Sequence, residues 1–160
     1  MNTIYLLLGS NMGNSEQMLS DATNMIEKNI GKLTKSSAIY RTAAWGKEDQ
    51  RDFLNQIIIV SSSLSSSTVL KKMFVIEKEM GRVRTIRNAA RVIDIDMLFF
   101  NDDIIQTETL TVPHPQIQNR RFVLVPLAEI SPDFQHPLLK KSSLELLSIC
   151  SDKLNVQKNC

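Results

Sequence analysis

The chain has 160 residues, 42% of them hydrophobic and 22% charged, which predicts one globular domain over residues 1–160 with a buried core. Its formal net charge is only +2, so bulk electrostatics favours neither nucleic acid nor a membrane surface, and we expect small molecules as partners. Cys150 and Cys160 show neither a disulfide framework nor zinc spacing, which favours reduced thiols and predicts a cytoplasmic protein.

The sequence of the first half of the chain predicts a strand, a helix and two further strands. The apolar run at residues 3–8 predicts a buried strand and is too short for a membrane span. A turn through Gly9-Ser10-Asn11 leads to a helix that begins at Asn14 or Ser15 and is stopped by Gly31. Further strands are predicted at residues 35–40 and 54–61, separated by a polar loop at 41–52 that we expect to be mobile.

An apolar stripe at helical spacing predicts a second helix after the serine-rich stretch 61–67, whose end can cap it. The stripe consists of Val69, Leu70, Met73, Phe74, Ile76, Glu77 and Met80. A strand within residues 92–100 would follow, so the predicted order is βαββαβ. This order is typical of a ferredoxin-like sandwich, an α+β fold with helices on one face of a largely antiparallel sheet.

The final third of the chain adds to this unit without a second domain or an internal repeat. Two prolines stiffen residues 111–115. A short helix is predicted over 122–130, interrupted near Pro126, and a closing helix over 143–149.

Two aspartates lie one residue apart in the apolar run of residues 92–100. Because successive side chains of a strand point to opposite faces, Asp94 and Asp96 should project side by side, with Ile95 buried behind them. Two carboxylates in one small space repel each other, and a shared proton or a bound cation is the usual remedy, with Mg²⁺ favoured by hard oxygen ligands. An acid pair on a solvated strand face is the commonplace alternative. Charges inside an apolar run are costly unless paired, which favours the metal site.

The segment just before these aspartates is rich in arginine. Residues 81–91 contain no acidic residue and four arginines, Arg82, Arg84, Arg87 and Arg91. Forked guanidinium groups suit phosphate oxygens, although a solvated loop is the ordinary reading of such a run. Neither familiar glycine cradle for phosphate, G-x-x-x-x-G-K-[ST] or G-x-G-x-x-G, occurs in the sequence. The arginines and the acid pair together predict a site for a metal and a polyphosphate.

A series of short motifs has the order and spacing of a known enzyme family. The motifs are Gly9-Ser10-Asn11, Tyr40-Arg41-Thr42, Phe53-Leu54-Asn55, Glu77 with Gly81-Arg82-Val83-Arg84, Arg91-Val92-Ile93-Asp94-Ile95-Asp96, Val112-Pro113-His114 and Asn119-Arg120-Arg121-Phe122. On these residues the chain resembles the 6-hydroxymethyl-7,8-dihydropterin pyrophosphokinase family of folate biosynthesis. The resemblance extends from the first strand to Leu127, and R-x-x-D-[hydrophobic]-D is its most specific block.

The resemblance implies Mg²⁺-dependent transfer of pyrophosphate from ATP to the hydroxymethyl oxygen of the pterin, with release of AMP. Asp94 and Asp96 would hold two Mg²⁺ ions that bridge the triphosphate. Arg82 and Arg91 would stabilise the charge on the transferred group from a loop that closes over ATP, while Arg84 assists closure or contacts phosphate. ATP and the pterin are the expected partners, and a monomer is the expected state.

The resemblance also implies where the two substrates bind. The implied ATP contacts are Glu77, Arg84, Met97, His114 and Arg120. The implied pterin contacts, a flat apolar slot with an amide at its edge, are Thr42, Trp45, Phe53, Asn55 and Phe122. Taken by themselves, the phenylalanines would be core residues, Asn55 a solvated or turn residue, His114 an exposed loop histidine and Glu77 a helix-surface glutamate.

Several positions depart from the family pattern. Ala43-Ala44-Trp45 stands where the family commonly has a pair of prolines, so this loop should be less rigid and close with an indole. The arginine loop lacks a common tryptophan and is one residue shorter than a common form. Phe53 stands in place of a frequent tyrosine, and Phe74 and Pro115 in place of polar residues. The aspartate pair is unaffected.

Two other function classes share parts of the pattern. A nucleotidyltransferase would use the same two-metal carboxylates but would release pyrophosphate rather than AMP. A ferredoxin-like RNA-binding module would need exposed aromatic residues on its central strands, whereas the aromatic content is 6% and an acidic pair stands where bases would stack. The resemblance favours pyrophosphoryl transfer as the predicted reaction, and the released product would separate it from nucleotidyl transfer.

Overall fold

A computed structural model describes residues 1–43, 52–81 and 92–159. The helices within these ranges are α1 (Ser15–Asn29), α2 (Ser66–Glu79), α3 (Arg121–Ile130) and α4 (Ser143–Ile149), with a short 3-10 helix at Ile117–Asn119. The strands are β1 (Asn2–Ser10), β2 (Lys32–Ser36), β3 (Tyr40–Thr42), β4 (Phe53–Ser62), β5 (Asp94–Phe100), β6 (Ile105–Gln106), β7 (Thr111–Val112) and β8 (Val156–Lys158). None of the helices in these ranges combines the length and the apolar character needed to cross a bilayer.

The main sheet has the strand order β5-β1-β4-β3-β8, and β2 also pairs with β4. Strands β6 and β7 form a separate pair. Every strand pairing within the described ranges is antiparallel. A mixed α and β fold around a largely antiparallel sheet is therefore confirmed.

Alternating side chains of β1 lie in two apolar clusters, one on each face of the sheet. Ile4, Leu6 and Leu8 belong to the cluster with α1 and α2, which we call the α1/α2 face. Tyr5 and Leu7 belong to the cluster with α3 and α4, the α3/α4 face. The predicted placement of the two helices of the βαββαβ unit on one face is confirmed for α1 and α2, whereas α3 and α4, whose position was not predicted, cover the other face. Because the central strands are apolar at nearly every position, both faces require cover.

The ends of the first two helices follow their capping residues. Asn14 caps α1 by accepting a hydrogen bond from the Gln17 amide at 3.2 Å, and Ser65 caps α2 by accepting one from the Thr68 amide at 3.3 Å. Gly31 follows α1 where a Cβ would collide with the carbonyl oxygen of Ser61 on β4. The predicted caps and the glycine after α1 are thus confirmed. Gly31 allows the end of α1 to lie close to β4.

Three predicted details are wrong. The strand expected at 35–40 is broken between β2 and β3, because Ser37 instead exchanges hydrogen bonds with the main chain of Ile57 through its own amide and its hydroxyl. Helix α3 runs through Pro126 without interruption, since this proline removes only one donor and its ring is buried in the packed side of the helix. Phe74, assigned to the apolar stripe, is 44% exposed because it lies beside the buried positions of α2.

Candidate active site

Asp94 and Asp96 lie on β5, at one edge of the main sheet. Both are half-buried, whereas Ile95 between them is 3% exposed and packs in the α1/α2 cluster. The register places Asp96 beside Leu7 and Asp94 beside Gly9 of β1. The two carboxylates therefore share the α3/α4 face, as the alternation along the strand predicted.

A row of small and polar residues crosses this face next to Asp94. Gly9 of β1 pairs with Asp94 on one side and with Asn55 of β4 on the other. Asn55 is 4% exposed, and its Nδ2 donates a hydrogen bond to Oγ1 of Thr42 at 3.1 Å. A Cβ on Gly9 would lie 3.0 Å from Oδ1 of Asn55, so the glycine makes room for the amide. We call Thr42, Asn55, Gly9 and Asp94 the polar row.

Gly9 is a site residue that the sequence reasoning missed, because it was assigned to a turn. The residue lies inside β1, and Ser10 and Asn11 beyond it are 0% and 1% exposed. A glycine within a buried strand often marks a place where another group approaches the main chain closely. That signal was present in the sequence and could have identified Gly9.

Glu77 contacts β5 from the α1/α2 face. Its side chain is 2% exposed, and Oε2 accepts a hydrogen bond from the amide of Ile95 at 2.8 Å. The reading of Glu77 as a helix-surface residue is therefore wrong. Because Ile95 lies between Asp94 and Asp96, this bond fixes the strand segment that presents both carboxylates. A contact of Glu77 with ATP stays a prediction.

His114 and Arg120 belong to the segment between β7 and α3. The amide of His114 donates to the carbonyl of Leu98 on β5 at 2.9 Å, and Nδ1 of His114 accepts from the amide of Gln116 at 3.2 Å. Burial, followed by the positive charge of Arg120, lowers the pKa of His114, and Asp94 opposes this shift. Since Nδ1 is an acceptor, the neutral imidazole carries its proton on Nε2. His114 is thus a neutral donor within the fields of Arg120 and Asp94.

Two half-buried phenylalanines accompany the polar row. Phe53 of β4 pairs with Thr42 of β3, so it shares the face of the row. Phe122 of α3 packs against the apolar cluster of the α3/α4 face, and the guanidinium carbon of Arg120 lies 5.7 Å from its ring centre. This distance is typical of a cation–π contact, which holds the arginine and the ring together. That the two rings enclose a flat slot for a pterin stays a prediction.

Met97, the other predicted site residue that the structure describes, does not join this cluster. The Met97 side chain is 4% exposed in the α1/α2 cluster, so it faces the core and a contact with ATP would have to come from its main chain. Trp45, Arg82, Arg84 and Arg91 lie outside the described residues, as does most of the predicted mobile loop. Their roles stay predictions.

The donor set of Asp94 and Asp96 fits a hard divalent cation. Within residues 1–43, 52–81 and 92–159, no group of three or more His, Cys, Asp and Glu side chains could hold a metal ion. Asp94 and Asp96 would be carboxylate ligands of such a site. Mg²⁺ is commonly bound in this way, by one or two carboxylates together with water and substrate phosphates.

Comparison with known proteins identifies the family. The family model described as 7,8-dihydro-6-hydroxymethylpterin-pyrophosphokinase (HPPK) matches residues 5–132. A 2-amino-4-hydroxy-6-hydroxymethyldihydropteridine pyrophosphokinase of Bacillus subtilis is 43% identical over 130 residues, which cover 81% of this chain and 78% of that protein. Its counterpart in Aquifex aeolicus is 39% identical over 141 residues, 88% of each chain.

A solved structure supports the fold. The wild-type Plasmodium falciparum HPPK-DHPS structure aligns with a TM-score of 0.74 at 19% identity, over 92% of this chain and 43% of that chain. This chain therefore spans less than half of that protein, and the likeness concerns the fold alone. With the family match over residues 5–132 and the two relatives near 40% identity, the chain belongs to the 7,8-dihydro-6-hydroxymethylpterin-pyrophosphokinase family.

Proposed function

We propose that this protein transfers pyrophosphate from ATP to the hydroxymethyl oxygen of 6-hydroxymethyl-7,8-dihydropterin, releasing AMP, as a step of folate synthesis. Family membership supports this reaction. The observation that supports the proposal at particular residues is the polar row, in which Asp94 on β5 and Asn55 on β4 flank Gly9 of the central strand β1. A phosphate-handling carboxylate and an amide suited to a heterocycle thus lie on the same face.

The pterin would bind at the Asn55 end of the row. Because Nδ2 of Asn55 donates to Thr42, the orientation of the amide is fixed, and its Oδ1 is directed toward the space above Gly9. A carbonyl oxygen there suits the N–H donors of a pterin ring. Phe53 and Phe122 would supply apolar surface for the faces of the ring, and Trp45 would contribute from outside the described ranges.

The triphosphate would bind at the Asp94 end. Asp94 and Asp96 would hold Mg²⁺, two ions by resemblance to the family, and the bound ions would supply charge neutralisation for the phosphates. His114 would donate its Nε2–H to a phosphate oxygen, and Arg120 would contribute a positive charge there. Glu77 keeps the aspartates in place through Ile95. Arg82, Arg84, Arg91 and the main chain of Met97 would add contacts by resemblance alone.

The chemical step requires chiefly the correct placement of two substrates. The pterin oxygen forms a bond to the β-phosphorus of ATP, the bond from that phosphorus to the bridging α–β oxygen breaks, and AMP leaves. The hydroxyl proton passes to solvent, so a dedicated strong base is not required. Holding the oxygen and the phosphorus in line supplies much of the rate enhancement for such transfers.

We also infer that strands β1, β4 and β5, with β2 and the helices α1 and α2, form a ferredoxin-like core. The strand order β5-β1-β4 with β2 beside β4 supports this assignment. The elements from β6 onward would then be additions that cover the second face and supply His114, Arg120 and Phe122.

The proposed reaction can be tested by product analysis. Protein, Mg²⁺, ATP and 6-hydroxymethyl-7,8-dihydropterin should yield AMP and the pterin diphosphate, followed by phosphorus NMR or chromatography, and a chelator should stop turnover. ADP as the product would refute pyrophosphoryl transfer. Release of pyrophosphate would instead identify a nucleotidyltransferase, the alternative that the acid pair left open.

A further inference from the structure

Helix α3, which carries Phe122, has no capping hydrogen bond from the side chain of its N-cap residue. Arg120 occupies the N-cap position of α3 with extended dihedral angles (φ −125°, ψ 107°), and its side chain makes no capping hydrogen bond. A guanidinium contains only donors, so it cannot accept from the amides at a helix start. The first turn of α3 also contains no acidic residue. Because Arg120 occupies the N-cap position, the amides at the start of α3 need a hydrogen-bond acceptor from another part of the chain.

Asp152 supplies that acceptor from 31 residues further along the chain. Its Oδ2 accepts from the amide of Arg121, the first residue of α3, at 3.0 Å, and its Oδ1 accepts from the amide of Leu154 at 3.0 Å. One oxygen thus caps the helix while the other holds the turn that carries the aspartate. A carboxylate at a helix N-terminus is also stabilised by the helix dipole.

The residues after Asp152 pair with β3 and contact α1. Strand β8 pairs with β3, where Thr42 is aligned with Val156. Asn159 then accepts from Nη2 of Arg41 on β3 at 3.0 Å and donates to Oε1 of Glu16 on α1 at 2.9 Å. Residues 152–159 therefore connect the start of α3 with β3, the strand that carries Thr42 of the polar row. This segment lies beyond residues 5–132, which the family model matches.

We propose that Asp152 is a positioning residue for both substrates. By capping α3 at Arg121, it sets the direction of the adjoining Arg120 and Phe122, which the proposed function assigns to ATP and to the pterin. The inference rests on that proposed function. It differs from a purely structural role because a loosened helix start displaces one group of each binding site at once.

Removal of the carboxylate tests this assignment. Asp152→Ala should raise the KM for ATP and the KM for the pterin each by roughly three- to ten-fold, the effect expected from loss of one helix cap, and should leave kcat within about two-fold. Asp152→Asn keeps an acceptor oxygen without the charge and should raise both values less. Amide hydrogen exchange at Arg121 should be faster in Asp152→Ala, a readout that does not depend on turnover.

Ser142→Ala provides the matched control. Ser142 caps α4 by accepting from the amide of Glu145 at 3.1 Å, so its loss removes a cap of the same kind away from the polar row. We expect both KM values to remain at the wild-type level in this variant. An equal rise in Ser142→Ala, or unchanged KM values in both Asp152 variants, would overturn the inference. If Asp152→Ala does not fold, the KM values of Asp152→Asn decide. Absence of AMP formation by the wild type would instead identify failure of the proposed function.

Discussion

The two faces of the central sheet are built from the same strands but differ along their length. On the α1/α2 face, the side chains of β1 belong to the apolar cluster as far as Leu8, and Ser10 at the end of the strand is also buried. On the α3/α4 face, the cluster of β1 ends at Leu7, and the next row contains Gly9, Asn55 and Asp94. The first face of β1 is thus buried from Ile4 to Ser10, whereas the second changes from apolar packing at Leu7 to the residues of the candidate site at Gly9.

This change of character follows from the energetics of burial. A carboxylate enclosed in an apolar cluster would require compensation for its lost hydration, whereas Asp94 and Asp96 at the end of a face remain half-buried. The amide of Asn55 can be 4% exposed because it is hydrogen-bonded to Thr42. We therefore expect substitutions on the α1/α2 face to lower stability, and substitutions at the end of the α3/α4 face to lower activity or substrate binding.

The largest expected effect is on catalysis, at the two aspartates. Asp94→Asn or Asp96→Asn keeps the shape of the side chain but removes a negative charge needed for cation binding, so turnover should fall by roughly 10²–10³-fold or more. Rates of AMP formation and urea unfolding would be measured together, and the free energy of unfolding should change little. Asp103→Asn, at an exposed position after β5, is the control. Activity within two-fold of wild type in either site variant would contradict the assigned face.

The position of the aspartates could be predicted from the sequence because it depends on a local rule. Alternation along one strand requires only that Ile95 be buried, and the apolar run around it made that inference secure. The caps Asn14 and Ser65 were predictable for the same reason, since a cap is read from residues within one turn. Local sequence patterns were thus sufficient to predict that Asp94 and Asp96 share one face of the sheet.

Two other features of the site, the hydrogen bonds of Asn55 and of Glu77, depend on contacts between distant parts of the chain. The bond of Asn55 to Thr42 requires the register of β3 on β4, and the bond of Glu77 to Ile95 requires the docking of α2 behind β5. Neither is encoded in a spacing along one element. The cover of the second face by α3 and α4 was missed likewise, because strands buried on both faces do not specify which helices cover them.

A change on the packing face should affect stability rather than chemistry. Leu8 is 0% exposed, so Leu8→Ala should lower the free energy of unfolding by about 2–5 kcal/mol through lost burial and a residual cavity. The kcat of the folded variant should stay near the wild-type value, because Leu8 faces away from the polar row. Urea unfolding and kinetics at a temperature where the variant is folded would check this. A much lower kcat with unchanged stability would show that the two faces are not independent.

The adjoining residue on the other face should show the reverse behaviour. In Gly9→Ala, the added Cβ would lie 3.0 Å from Oδ1 of Asn55, so the amide must shift by a few tenths of an ångström. We expect the KM for the pterin to rise by about ten-fold, equivalent to about 1.4 kcal/mol of binding free energy, while the KM for ATP changes less. Asn55→Ala removes the amide and should raise the pterin KM at least as far. Equal changes in both KM values would argue against a pterin site at this end.

The smallest expected effect concerns His136, at the packed end of the α3/α4 face. Its ring lies edge-on to Phe99 at 5.6 Å, and its Nδ1 accepts from the amides of Leu138 and Leu139, both at 3.1 Å. Burial lowers the pKa of His136. The unfolded chain therefore binds this proton more readily than the folded chain does. Stability should be fully present above the unfolded pKa of about 6.5 and be lost as the pH falls through the lower folded value.

The measurement is the Tm at pH 7.5 and at pH 5 for the wild type and for His136→Asn, whose amide oxygen can replace Nδ1 as the acceptor. The fall in Tm on acidification should be smaller in the variant. His114, whose pKa is also lowered, contributes in the same direction to both proteins and cancels in the difference. Because His136 lies at the packed end of the face, kcat at pH 7.5 should be unchanged. A variant with the same pH dependence as the wild type would show that His136 is not the titrating group, and a reduced kcat would show that the packed end is coupled to the polar row.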